Sequence, residues 1–182
     1  MWTPCSRGCS APSKADAVPL KRAFDPVVDA HTQLLILGSL PGDASLKAGQ
    51  YYGHPQNGFW RLVGGVITVD LAPLPYPERL AALKAAGVGL WDVIASAERR
   101  GSLDGAIRNA EGADLIRLVD SLPALKAVAF NGGTAARLGR RALAPRPGID
   151  QIDLPSSSPA YTRPLAEKAA AWAMLGAFVR CR

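Results

Sequence analysis

QLLILGSLPG, Gln33 to Gly42, is the stretch that decides the fold. Leu34 to Leu37 form an apolar run too short for a helix, stopped by Gly38, Pro41 and Gly42. A run of this kind reads as a central strand of a parallel sheet, covered on both faces. Val88 to Val93 (VGLWDV) is a second such run, and Lys126 to Phe130 (KAVAF) a third, followed by Asn131, Gly132 and Gly133. Gly148 to Leu154 is a weaker fourth, ending in Pro155 and three serines. Helical segments separate them. Phe59 to Val63 suits a short helical turn, and Pro77 to Ala86 opens on proline and closes at Gly87. Ala113 to Leu122 places Leu115, Leu118, Val119 and Leu122 at helical spacing. A further helix is expected from Thr134, and Pro164 to Val179 reads as a long closing helix. The alternation predicts an α/β fold, a three-layer α/β/α sandwich around a four-stranded, mainly parallel sheet.

The chain has 182 residues, the length of one domain. Residues 1–22 mix Cys, Ser, Pro, Gly and Lys without a period and read as a flexible arm; 23–182 are expected to form a single domain. Hydrophobic residues at 48% and charged residues at 20% exclude wholesale disorder. A net charge of +6 suits a polyanionic partner, although ordinary proteins also reach it. Cys5, Cys9 and Cys181 are an odd count, against a disulfide framework, and too few for a four-cysteine iron–sulfur cluster. His31 and His54 are the only histidines, so a histidine-rich metal site is excluded. Neither metal nor organic cofactor is expected. No apolar run approaches membrane-spanning length and the start has no signal-peptide stretch, so no membrane is expected and the location reads as cytoplasmic.

In an open parallel sheet, ligands gather at the carboxyl ends of the strands. The polar, Gly- and Pro-rich segments Gly38–Asn57, Asn131–Gly133 and Pro155–Tyr161 fall there and can meet over one crevice. Gly38-Ser39-Leu40-Pro41-Gly42, followed by His54-Pro55-Gln56-Asn57-Gly58-Phe59-Trp60, resembles the first motif of the uracil-DNA glycosylase superfamily. Leu154 to Tyr161 (LPSSSPAY) is similar to its DNA-intercalating motif, and Phe130-Asn131-Gly132 sits where that superfamily places a base-reading residue. The nearest branch is the deoxyinosine (hypoxanthine) glycosylases, which share the Tyr51-Tyr52 pair and Gly101-Ser102-Leu103-Asp104. Two positions depart from the wider pattern. Leu40 stands where many relatives carry a water-activating Asp or Asn, and Leu154 where the best-known branch has His.

The resemblance implies a monofunctional DNA glycosylase, acting as a monomer on DNA that carries a deaminated base, uracil or hypoxanthine, or an abasic site. With Leu40 apolar, water activation is reassigned to Asn57, whose amide can orient water and hold the sugar; its alternative is a cap for the following helix. Asp43 is the second candidate, by its charge, or else caps Ala44 to Gly49. Tyr51 and Tyr52 are expected to divide between stacking on the base and packing, and Asn131 to read the base edge or serve as a turn. Gly38, Ser39, Leu40, Pro41 and Gly42 shape the loop that approaches the base. Ser156, Ser157 and Ser158 are expected on phosphates, with Pro159, Ala160 or Tyr161 as the wedge and His54 closing the pocket or touching a phosphate. Arg99, Arg100, Arg137, Arg140, Arg141 and Arg163 are candidate phosphate partners. Lys47, the nearest lysine to the first motif, is expected on the outer side of its loop, which argues against a Schiff base. A rival reading is a protein that binds damaged or abasic DNA with little turnover. A nucleotide-binding α/β protein is a distant third, since no phosphate loop or dinucleotide fingerprint is present.

Overall fold

The computed structural model describes residues 18–180. In chain order its elements are β1 (Leu20–Arg22), β2 (Leu34–Gly38), α1 (Asp43–Ala48), α2 (Phe59–Ile67), α3 (Tyr76–Ala85), β3 (Val88–Asp92) and β4 (Ile94–Glu98). There follow a 3-10 turn at Asp104–Ala106, β5 (Arg108–Gly112), α4 (Leu115–Asp120), β6 (Ala127–Asn131), α5 (Gly133–Ala142), β7 (Asp150–Leu154), α6 (Leu165–Trp172) and a 3-10 helix at Ala173–Phe178. Four strands form the central sheet in the order β3-β2-β6-β7, every pair parallel.

Strand β2 explains the layering. Its side chains alternate between faces. Leu34 and Ile36 join Phe59, Leu62 and Val63 of α2, Leu83 of α3 and Trp172 of α6 in one core. Leu35 and Leu37 join Leu115 and Val119 of α4 and Ala135 of α5 in the other. All four β2 side chains are wholly buried, each worth about 1.5–3 kcal/mol against exposure. Among the described residues no helix is long and apolar enough to cross a membrane.

Some expectations need correction. A second, antiparallel sheet, β1-β4-β5, lies beside the first. Its strands LKR, IASAE and RNAEG carry almost no apolar period, so backbone pairing rather than hydrophobic pattern makes them strands. Part of the expected arm is thereby ordered, since Leu20 to Arg22 pair with Glu98 to Ser96; residues 1–17, with Cys5 and Cys9, lie outside the described residues, as does Cys181. The closing helix is interrupted as well. It is α-helical to Trp172 and tightens to 3-10 geometry over Ala173–Phe178.

Helix α5 approaches the sheet through Gly139, where an added methyl would overlap the Phe130 ring. Gly139→Ala should therefore destabilise the protein by about 1–3 kcal/mol, the usual scale of overpacking, despite alanine's better helix propensity. Urea unfolding should show a lower midpoint with an unchanged slope.

Candidate active site

The carboxyl ends of the four parallel strands open on one cavity of about 430 Å³, within the range of about 300–1,000 Å³ usual for small-molecule sites. Gly38–Gly42 line it after β2, Asp92 at the end of β3, Asn131 at the end of β6, and Ser156–Tyr161 after β7. The connection from α1 to α2 adds Tyr51, Tyr52, His54 and Asn57, and Ser102–Asp104 closes the remaining side.

Gly38 and Asp92 are paired across β2 and β3. A Cβ on Gly38 would stand 2.5 Å from Asp92 Oδ1 and 3.1 Å from the Tyr52 hydroxyl. Only glycine admits both groups there. Asp92 Oδ2 and Tyr52 Oη are buried without a hydrogen-bond partner. Burial pushes the Asp92 carboxyl up to about 7, against the pull of Arg99 and with help from Asp104. Burial, then Asp92, also raises the Tyr52 phenol, while Asn131 acts the other way. Unpaired buried polar atoms are costly, so two of them on a cavity wall mark a place for a polar ligand.

The first loop is held from beneath. Arg99, expected on phosphates, is instead fully buried. Its guanidinium donates to the Leu40 carbonyl at 3.3 Å and to the Pro41 carbonyl, and lies 3.8 Å from Asp104. The Ser39 hydroxyl donates to Asp104 Oδ1 at 2.8 Å, and the Asp43 N–H donates to the Ser102 hydroxyl at 2.9 Å. Leu40 is buried with its edge on the cavity. Asp43 itself is not brought to the cavity. It lies in the first turn of α1, with Gly42 at the cap position, and its largely exposed carboxylate pairs with buried Lys21. Lys47 is exposed on α1.

Asn57 borders the cavity one residue before Gly58, the cap of α2, and its Oδ1 accepts the N–H of Phe59, the first residue of the helix, at 2.9 Å. Its side-chain nitrogen and a second lone pair on Oδ1 remain. His54 is exposed at the rim, its Nδ1 accepting the Gln56 N–H at 3.1 Å. Both tyrosines line the cavity, and both pack against other rings. Tyr51 is a core residue whose hydroxyl donates to the Asp25 carbonyl at 3.2 Å. Tyr52 stacks on Phe59 with centroids 3.7 Å apart.

Asn131 ties β6 to the last loop. Its amide nitrogen donates to Ser157 Oγ at 2.9 Å and its oxygen accepts the Ser157 N–H at 2.8 Å. The Ser157 carbonyl accepts the Gly58 N–H at 3.0 Å, joining the Asn57 segment to the same point. Ser157 is therefore an internal strut, not the phosphate donor expected of it. Ser156 Oγ accepts the Ser158 N–H and Ser158 Oγ the Ala160 N–H, each at 3.2 Å. Pro159, Ala160 and Tyr161 are exposed at the mouth, Tyr161 between the cations of Lys168 and Arg163 at 5.2 and 5.9 Å. Buried Lys168 donates to the carbonyls of Ser158 at 3.1 Å and Tyr161 at 2.6 Å, and Trp172 Nε1 to that of Pro155 at 3.0 Å. Leu154 is buried at the end of β7.

Sequence reasoning passed over Asp92 and Lys168 and placed Arg99 on phosphates. A signal existed for the first, since an aspartate ending an otherwise apolar strand run is out of place in a core. Arg99 and Lys168 read as ordinary surface cations, because nothing local distinguishes a buried one. Among the described residues no group of three or more His, Cys, Asp or Glu could hold a metal ion.

Residues 26–176 match the model of the uracil DNA glycosylase superfamily. The chain is 44% identical over 155 residues to a hypoxanthine DNA glycosylase of Methanosarcina barkeri, covering 84% of this chain and 96% of that protein. It is 40% identical over 153 residues to a hypoxanthine DNA glycosylase of Methanosarcina acetivorans, with the same shares covered. The solution NMR structure of a Methanosarcina acetivorans protein, assigned provisionally as a uracil DNA glycosylase, superposes with a TM-score of 0.73 at 39% identity. That match covers 86% of this chain and 99% of the other.

Asn131→Ala would leave the Ser157 N–H and hydroxyl without partners. It should cost about 1–3 kcal/mol, and amide exchange at Ser157 should quicken. A thermal melt matching the parent, with Ser157 still protected, would refute the strut.

Proposed function

The chain belongs to the uracil DNA glycosylase superfamily, and we propose that it excises hypoxanthine from DNA as a monofunctional glycosylase in base excision repair. It is a hydrolase of N-glycosyl bonds. The observation that carries the substrate reading is the cavity at the strand ends, base-sized and walled by unpaired polar atoms, in a chain so similar to two hypoxanthine DNA glycosylases. The target nucleotide swings out of the stack and its base enters the cavity. Water bonds to C1′, the C1′–N9 bond breaks with its electron pair leaving on the base, and the proton of the water passes to the base or to solvent. An abasic site remains. No lysine on the first loop offers a Schiff-base route. The reading carries a monomer and a cytoplasmic location.

Asn57 is assigned to the water. One lone pair of its Oδ1 accepts the Phe59 N–H, which restrains the rotamer, and the other is available to orient the nucleophile. We assign Asp43 no direct part, because its carboxylate is committed to Lys21 away from the cavity. Asn131 meets the base edge with its remaining N–H and lone pair, and the backbone of Gly38–Gly42 lies along the base. Pro159, Ala160 and Tyr161 fill the gap left in the duplex. Ser156, Ser158 and His54 contact the flanking phosphates.

A duplex with one hypoxanthine should be cut only after alkali treatment, which opens abasic sites; a shifted complex without cleavage would favour a binding protein. In single turnover, Asn57→Ala should slow excision by about a hundredfold or more, Asn57→Asp should keep part of the rate, and Asp43→Asn should stay near the parent. An Asn57→Ala enzyme as fast as the parent removes the water assignment.

Affinity for DNA should fall linearly in log–log form with salt, by about 0.9 per phosphate neutralised. Binding indifferent to salt would contradict a phosphate-gripping surface.

A further inference from the structure

Asp92 combines features that a structural carboxylate does not. It is 4% exposed, it stands on the cavity wall at the carboxyl end of β3, and Oδ2 lacks a partner. The Tyr52 hydroxyl, equally unpaired, shares the space above Gly38. Asp92 Oδ2 makes no hydrogen bond within the protein, and Asp92 and Tyr52 both line the cavity that a base would meet.

Its charged and titratable surroundings come from three directions. Arg99 and Asp104 act on it from the chain after β4, and Tyr51 and Tyr52 are coupled to it from the connection between α1 and α2. From β6, the facing group is the uncharged Asn131 amide. The one cation among them, Arg99, donates from its two terminal nitrogens to the carbonyls of Leu40 and Pro41, while its Nε makes no hydrogen bond. Its attraction does not offset burial, so the carboxyl titrates near neutrality, at about 7.

We propose that Asp92, in its protonated form, donates a hydrogen bond to the 6-oxo group of hypoxanthine and so stabilises the departing base. The inference rests on the glycosylase reading above. A neutral carboxyl presents O–H and C=O side by side, the complement of the O6 and N1–H edge of the base. As the C1′–N9 bond opens, negative charge spreads onto the base and O6 becomes a stronger acceptor. The contact is therefore stronger in the transition state than in the ground state, which is what accelerates a reaction. An ionised Asp92 would instead set a second negative charge against the leaving group. The sign follows directly: the donor is present below a pH of about 7 and is lost as pH rises through it.

The test compares the parent, Asp92→Asn and Asp92→Ala across about pH 5.5 to 9. Two readouts are needed: single-turnover excision from a hypoxanthine duplex, and calorimetric binding of free hypoxanthine. The parent should hold its rate at low pH and lose about tenfold per unit above neutrality. Asp92→Asn keeps a donor that does not titrate, so its rate should stay level over the range. Asp92→Ala should be slower by about a hundredfold at low pH. Free-base affinity should follow the same pattern. A flat parent profile, an Asp92→Asn profile that falls with the parent, or an Asp92→Ala variant as fast as the parent at low pH would each overturn the role. If the parent excises nothing at any pH while its affinity for hypoxanthine titrates and that of Asp92→Asn does not, the donor stands and the glycosylase reading falls.

Discussion

Parallel pairing of four short strands is the constraint on which the molecule depends. It requires β2, β3, β6 and β7 to run the same way, so their carboxyl ends share one edge. Gly38 and Asp92 lie across from one another at that edge, as do Asn131 and Leu154. Segments more than a hundred residues apart in the chain thereby meet within a base-sized space. The register that buries Leu34 to Leu37 is also the register that sets Asp92 beside Gly38. A slip of one residue would turn Asp92 to the opposite face of the sheet. Core and site are fixed by the same ladder.

Above the sheet, polar groups give the loops their shape. Arg99 takes the place of a core side chain beneath the first loop and satisfies two of its carbonyls. Asn131 and Ser157 do the same between β6 and the last loop, with Gly58 brought in through a backbone bond. Buried polar groups that share such bonds favour one arrangement, since another would leave more polar atoms unmatched. Asp92 Oδ2 and Tyr52 Oη, on residues that line the cavity, make no such bond. Their isolation points outward to a ligand.

The sheet was legible from residue pattern because its strands are buried on both faces, and β2, β3 and β6 announce themselves as apolar runs ended by glycine or an amide. The antiparallel sheet was not, because IASAE and RNAEG are strands through pairing with neighbours that no local window contains. The site was legible as a set of loops. Asn57, Tyr52, Asn131 and Ser156–Tyr161 do line one cavity. What escaped was direction. Whether Ser157 faces a phosphate or an amide, whether Asp43 faces the cavity or Lys21, and whether Arg99 faces solvent or the underside of a loop depend on contacts 22 to 58 residues away along the chain. Spacing within a motif carries no information about them.

The three hydrogen bonds from α6 to the last loop have a consequence beyond holding it. Lys168 and Trp172 occupy the carbonyls of Pro155, Ser158 and Tyr161 before any nucleic acid arrives. The conformational entropy of that loop is lost during folding, so in the role proposed for it on DNA it would need no ordering on association. A rigid probe also suits a search through a large excess of normal duplex. In that proposed role it would test each step and withdraw without refolding, leaving residence time to depend on whether the base yields.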